Sequence, residues 1–129
     1  MSAAAAYASY TQASASTASP HEVVRMAYER IITSCDRADH ASRAKPERWM
    51  QTFHDETVRG QAILVELTAG LAIDHEDPAV NDLSRHLDDL YHYAIGQLVQ
   101  ANMEKSPLPL HAVRLVVDGL RDAWISGPQ

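Results

Sequence analysis

Seven histidines, seventeen acidic residues and a single cysteine are the side chains of this 129-residue chain best suited to metal binding or catalysis. Their spacing argues against both. A carboxylate-bridged metal bundle uses Glu-x-x-His on facing helices, and no glutamate here has a histidine three residues later. His86, Asp89 and His92 rotate too far around a helix to converge on one ion. Asp88 and His92 stand four apart and read as a solvated helix-surface contact. There is no H-E-x-x-H, no C-x-x-C, no phosphate-binding glycine loop and no G-x-S-x-G. Cys35 falls on an apolar stripe, where a thiol is usually inert packing. The expectation is no catalytic residue, no metal and no cofactor.

Composition narrows the remaining classes. A net charge of −6 disfavours nucleic acid, because phosphate binding needs a basic face, and it disfavours an anionic membrane surface. One cysteine excludes an internal disulfide and fits a reducing compartment. The N-terminal stretch lacks the basic and strongly apolar regions of a secretory signal. No run reaches the roughly 20 apolar residues of a membrane span. The expectation is one cytoplasmic, acidic, helical domain.

Four stretches carry helical periodicity. In "TASPHE", Ser19 suits the N-cap, Pro20 the first helical position and Glu22 the third. Behind it Val24, Ala27, Tyr28, Ile31, Cys35 and Ala38 share one face, predicting a helix over 20–41. "SRAKPERW" restarts the chain, with Pro46 and Glu47 expected in a first turn. Trp49, Phe53, Gly60, Leu64, Leu67 and Leu71 make the second stripe, to about residue 73. Asp77 and Pro78 open a third helix. Its stripe is Val80, Leu83, Leu87, Leu90, Tyr91, Ala94, Leu98 and Ala101, ending near Met103. Leu110, Val113, Val117, Leu120 and Trp124 give the fourth. Short connections then imply an all-α fold, an antiparallel four-helix bundle over 20–126. Residues 1–19, rich in Ala and Ser and free of charge, read as a flexible N-terminal arm.

Some apolar residues lie off these core stripes. Val58, Ala62, Val65, Ala69 and Ala72 follow steps of 4, 3, 4 and 3 on the far side of the second helix. Ile95 and Val99 sit off the core face of the third, and Met26 and Leu115 off those of the first and fourth. Isolated surface apolars are ordinary, but Val58 and Val65 with small Ala62 between them form a shallow groove for another helix. The chain's own arm is a second source of cover. Tyr7 and Tyr10 are three apart, would share a face if helical, and could dock as removable plugs. A module that used these stripes on itself would be a homodimer.

Several short motifs point to a family. "YTQ" in the arm, "TASPHEVVRMAYE" at the first helix, "LDDLYHYAIGQLVQAN" in the third and "LRDAW" at the end resemble, in order, the flagellin export chaperones of the FliS family. The chain departs from the family pattern at Ala27, often a bulky Leu, at "HEDPAV", which replaces a Gly-rich stretch, and in ending soon after Trp124. The resemblance implies a four-helix bundle in the bacterial cytoplasm. It implies a client, the C-terminal region of newly made flagellin, that is kept from polymerising and delivered to the flagellar type III export gate. It also implies an N-terminal arm that can lie over a client groove. On that reading Tyr7, Tyr10, Met26, Val58, Ala62, Val65, Ala69, Ile95, Val99 and Leu115 are the client-binding residues. The alternative is a general helical adaptor or dimerisation module without a flagellin client. Tyr91 is expected in the core with its hydroxyl reaching water, Tyr93 beside it, Asn102 bonded to backbone, Trp124 sealing one core end, and His21 facing a partner.

Overall fold

The computed structural model describes residues 3–10 and 19–126, and these are all helical apart from short connections. Four long helices follow one another: Pro20–Ala44, Trp49–Ala69, Pro78–Glu104 and Leu108–Ser126. A fifth, Ala3–Tyr10, precedes them. In chain order they are α1 (Ala3–Tyr10), α2, α3, α4 and α5. Each long helix packs on its two neighbours, α2 on α3 and α5, α4 on α3 and α5, giving a closed square of antiparallel elements. α1 packs against α4 and α2, at the end where α2 and α4 begin and α3 and α5 finish.

The helix starts follow local chemistry. The Ser19 hydroxyl accepts from the Glu22 amide at 3.2 Å, and an Asp77 carboxylate oxygen accepts from the Ala79 amide at 2.9 Å, so both caps act as the sequence requires. Asn81 then closes the preceding loop by accepting from the His75 amide and donating to its carbonyl. Lys45 and Lys105 end α2 and α4 in the left-handed conformation, each sending its amide back to a carbonyl four residues earlier, Ala41 and Ala101. The core is the union of the four predicted stripes. Tyr28, Ile31, Ala38, Phe53, Leu64, Ala94, Ala101 and Val113 are sealed from solvent, and Trp124 closes one end.

Three boundaries differ from the periodicity. α3 begins at Trp49, because left-handed Lys45 and Arg48 turn the chain and leave Pro46 and Glu47 in the connection. α3 also stops at Ala69 rather than near residue 73: the Leu71 amide tightens onto the Thr68 carbonyl, and the Ala72 amide is taken by the Ser9 carbonyl of α1. Ala72 is therefore buried under α1 and leaves the outer stripe. Finally, no ordered element was expected before Pro20, yet Ala3–Tyr10 is helical. α1 carries no apolar stripe of its own. Among the described side chains, Tyr10 enters a ready-made socket and the Ser9 hydroxyl lies 3.5 Å from that of Ser84, beside the bond to Ala72.

α3 and α4 meet closely at Gly60, where an added Cβ would stand 2.9 Å from Leu98 Cδ1. Leu98 is itself buried, so a branched side chain has nowhere to go. Gly60→Val is expected to lower stability by about 1–3 kcal/mol through overpacking, measured by urea titration. An unchanged midpoint would mean that the seam between α3 and α4 opens freely.

Candidate functional site

Two features of the molecule go beyond the packing of the four long helices on one another. The first is the seam between α3 and α4 on its outer side. The His54 ring nitrogen Nδ1 and the Asn102 amide nitrogen lie 2.9 Å apart across it. Val58 follows His54 by one turn, and Val99 precedes Asn102 by three residues, so both flank the seam on the side of that bond. Val65 continues the first line a heptad along, and Ile95 the second one turn back. Val58, Val65 and Val99 are 43%, 55% and 40% exposed, while Leu64 and Leu98, their sequence neighbours, are buried. Ala62 and Ala69 are also exposed and Ile95 is half-buried, which keeps the face shallow.

Sequence reasoning left out residues that extend this face. Ile73, 85% exposed, follows Ala69, and Met103, also exposed, follows Val99 by one turn. The periodicity that picked out Val99 would have reached Met103, whereas Ile73 lies beyond the end of α3. Ile73 helps line an open cleft of about 470 Å³ between the end of α3 and the start of α4, with Thr68, Leu71, Asn81, Arg85 and Asp88. Met26 and Leu115 are exposed as expected, but they lie on α2 and α5, away from the α3–α4 seam.

The second feature is the socket that holds Tyr10. Its ring is 1% exposed and stands edge-on to Trp124, with centroids 5.8 Å apart. Its hydroxyl lies 3.0 Å from the Leu67 carbonyl and 2.8 Å from the Tyr91 hydroxyl, which lies 2.6 Å from the Tyr28 hydroxyl. A carbonyl only accepts, so the one Tyr10 proton points at Leu67. Tyr91 then donates to Tyr10, and Tyr28 to Tyr91. Burial holds all three phenols well above the ordinary tyrosine value, so they stay neutral. The Tyr91 hydroxyl thus bonds within the core and does not reach water, contrary to expectation. Nothing in the sequence signals the meeting of three hydroxyls from positions so far apart. Tyr7 also lies in α1, but its side chain is outside the described residues.

The docked α1 does not cover the α3–α4 face, since Val58, Val65 and Val99 are exposed with Tyr10 in place. Two smaller expectations also change. Asn102 bonds the His54 and Lys105 side chains rather than backbone. His21 stacks on Trp124 at 4.9 Å, and its carbonyl accepts from the Trp124 indole, so it closes the core end. Tyr93 is half exposed. The His92–Asp88 contact is solvent-exposed at 3.3 Å. Cys35 is buried, and that burial pushes its thiol up to about 12. Among the described residues no group of three or more His, Cys, Asp or Glu could hold a metal, and no helix is long and apolar enough to cross a membrane.

A helical bundle that leaves an apolar helix pair uncovered defines a class of protein that works by binding. The model of the FliS family, described as flagellar protein FliS, matches residues 3–127. A flagellar secretion chaperone FliS of Campylobacter jejuni (subspecies jejuni, serotype O:6) is 33% identical over 119 residues, covering 92% of this chain and 88% of its own. The flagellar secretion chaperone FliS of Vibrio cholerae serotype O1 is 28% identical over 114 residues, covering 84% and 75%. The chain belongs to the FliS family, a family of chaperones rather than enzymes.

The neutral tyrosine trio gives the fold a signature in alkali. A pKa raised by folding contributes stability that is complete below the unfolded value and is lost as pH rises past it. Stability should therefore hold up to about pH 9–10 and fall above it. Tyr10, Tyr28 and Tyr91 should ionise only together with loss of helical ellipticity. Phenolate absorbance from all five tyrosines appearing before any loss of ellipticity would show the trio open to solvent.

Proposed function

We propose that this chain is a flagellar secretion chaperone of the bacterial cytoplasm whose client is the disordered C-terminal region of flagellin. The observation that carries the reading is the uncovered line of Val58, Ala62, Val65 and Ala69 on α3 beside Ile95 and Val99 on α4. Membership of the FliS family supplies the flagellar setting. A client end that is disordered alone and helical when assembled carries an apolar face liable to pair with its own kind. Offering that face a bundle groove blocks polymerisation by occupation, without nucleotide. Folding on binding buries roughly 1,000–3,000 Å² and loses about 2–5 kcal/mol to ordering, so the complex can be specific and still be released at the type III export apparatus. The arm acts at the bundle end rather than over this face. A client segment that also needs the Tyr10 socket binds only in the fraction of time α1 is away, and its apparent affinity falls by that fraction.

Val65→Asp and Val99→Asp are each expected to weaken binding of a flagellin C-terminal peptide by about tenfold or more, since each removes an exposed valine that the client would cover and puts a carboxylate into that apolar contact. Isothermal titration reads the affinity and circular dichroism the melt, which should shift by no more than a degree or two for such exposed positions. Unchanged affinity would remove this face from the mechanism. Light scattering of the free chain tests the other occupant: an obligate dimer that Val65→Asp turns into monomer would make the face a self-association surface.

A further inference from the structure

The cleft between the end of α3 and the start of α4 combines two chemistries. About 470 Å³ in volume, it is lined on one hand by Ala69, Leu71, Ala72 and Ile73. Ile73 is 85% exposed, a large aliphatic side chain that no other part of the molecule covers. On the other hand the lining includes Arg85 and two carboxylates, Asp74 and Asp88.

Those two carboxylates belong to a wider imbalance. Residues 74–89 hold six of the seventeen carboxylates of the chain and one of its eleven Lys or Arg side chains, a net −5 against −6 for the whole molecule. Little inside the protein answers that charge. Arg85 lies 3.3 Å from Asp82 on its own helix, so its cation is shared. Asp88 meets His92 at 3.3 Å, and that histidine is charged only if protonated. Among the described residues no cation pairs with Asp74. The loop that presents Asp74 is tied down, because Asn81 holds both the amide and the carbonyl of His75 and Asp77 caps α4. A carboxylate held in place before binding lowers the ordering cost of binding.

An apolar wall beside unanswered carboxylates fits a segment that carries both kinds of side chain. On a helical segment an aliphatic residue can cover Ile73 while a Lys or Arg three or four positions away reaches Asp74 or Asp88. The concave, partly apolar surroundings strengthen that attraction over the value for a carboxylate on a convex surface in water.

We propose that this cleft is a docking site for a basic amphipathic segment of a second protein, separate from the flagellin end. The outer α3–α4 face assigned to the client is built on Val58, Val65 and Val99, which carry no charge. A segment matched to them gains nothing from Asp74 or Asp88, whereas charge complementarity selects a basic one for the cleft. The proposal goes beyond the chaperone reading and does not rest on it.

The test titrates the full chain with three short synthetic peptides that share their Leu and Ala positions and carry Lys, Gln or Glu at the others. Amide shifts in heteronuclear NMR report both place and affinity. The Lys peptide is expected to move the amides of Ile73, Arg85 and Asp88 and to bind about tenfold tighter than the Gln peptide, with the Glu peptide weakest. Asp74→Asn combined with Asp88→Asn should abolish the preference for Lys over Gln. Ile73→Ser should weaken the Lys and Gln peptides alike, by about fivefold, through lost apolar burial. Glu47→Gln with Glu104→Gln removes the same charge at the opposite bundle end and should change nothing. Equal binding of the Lys and Gln peptides overturns the proposal, as does an equal loss in that control pair, which would make the attraction a matter of net charge. A flagellin C-terminal peptide that loses affinity with Asp74→Asn and Asp88→Asn would assign the cleft to the client and overturn the second partner. Failure of flagellin to bind at all leaves the Lys-peptide titration standing, and failure of the Lys peptide leaves the flagellin titration standing.

Discussion

Three phenols in series, Tyr28 to Tyr91 to Tyr10, end on the carbonyl of Leu67 and tie α1, α2, α3 and α4 together at one end of the bundle. The remaining core contacts are mostly of one apolar side chain against another, and such contacts tolerate sliding and repacking. A buried hydrogen-bond chain does not, because a displaced member leaves its neighbour unmatched in a medium that punishes the loss. The thread seats Tyr10 of α1, and the Ser9 carbonyl beside it takes the Ala72 amide just beyond the end of α3. The thread is also what makes α1 removable in principle. Its departure leaves Tyr28 and Tyr91 still bonded to each other, so the bundle end is not stripped of every partner at once.

α3 is asked to serve two surroundings. Phe53, Gly60, Leu64 and Leu67 face inward and fix its distance to α4 at Gly60. Val58, Ala62, Val65 and Ala69 face outward, where a bundle that functioned alone would carry charge. Among the described residues, salt bridges lie on α2 and α5, where α2 meets α3, and on α4: Arg114 with Asp36 and Asp118, Arg37 and Arg59 with the nearly buried Glu56, Arg85 with Asp82, and His92 with Asp88. Exposed ion pairs of this sort add little stability. They keep much of the surface polar, while Val58, Val65 and Val99 stay exposed beside the α3–α4 seam.

Much of the bundle was legible without coordinates. Ser19, Asp77, Pro20 and Pro78 act through bonds spanning two or three residues, and local sequence is sufficient for those. The core stripes were legible because a helix repeats its burial every three or four residues; most of Val24 through Trp124 is buried as expected, while Ala27, Trp49, Leu71, Leu83 and Leu90 are half-buried and Ile32, outside the stripes, is buried. The exposure of Val58, Val65 and Val99 followed from the same arithmetic run in reverse. Ile73 was missed because it lies past the end of α3, where the helical repeat no longer applies.

The sequence by itself determined four amphipathic helices, their caps and their inward faces, since each rests on periodicity within one segment. Only the tertiary structure decided that Ala3–Tyr10 becomes a helix, that three tyrosine hydroxyls meet, and that α1 closes the bundle end instead of lying over Val58 and Val99. α1 has no stripe from which its docking could be read. Its order comes from a socket assembled by Leu67, Tyr91 and Trp124, residues far apart in the chain that share a place only after the long helices have packed.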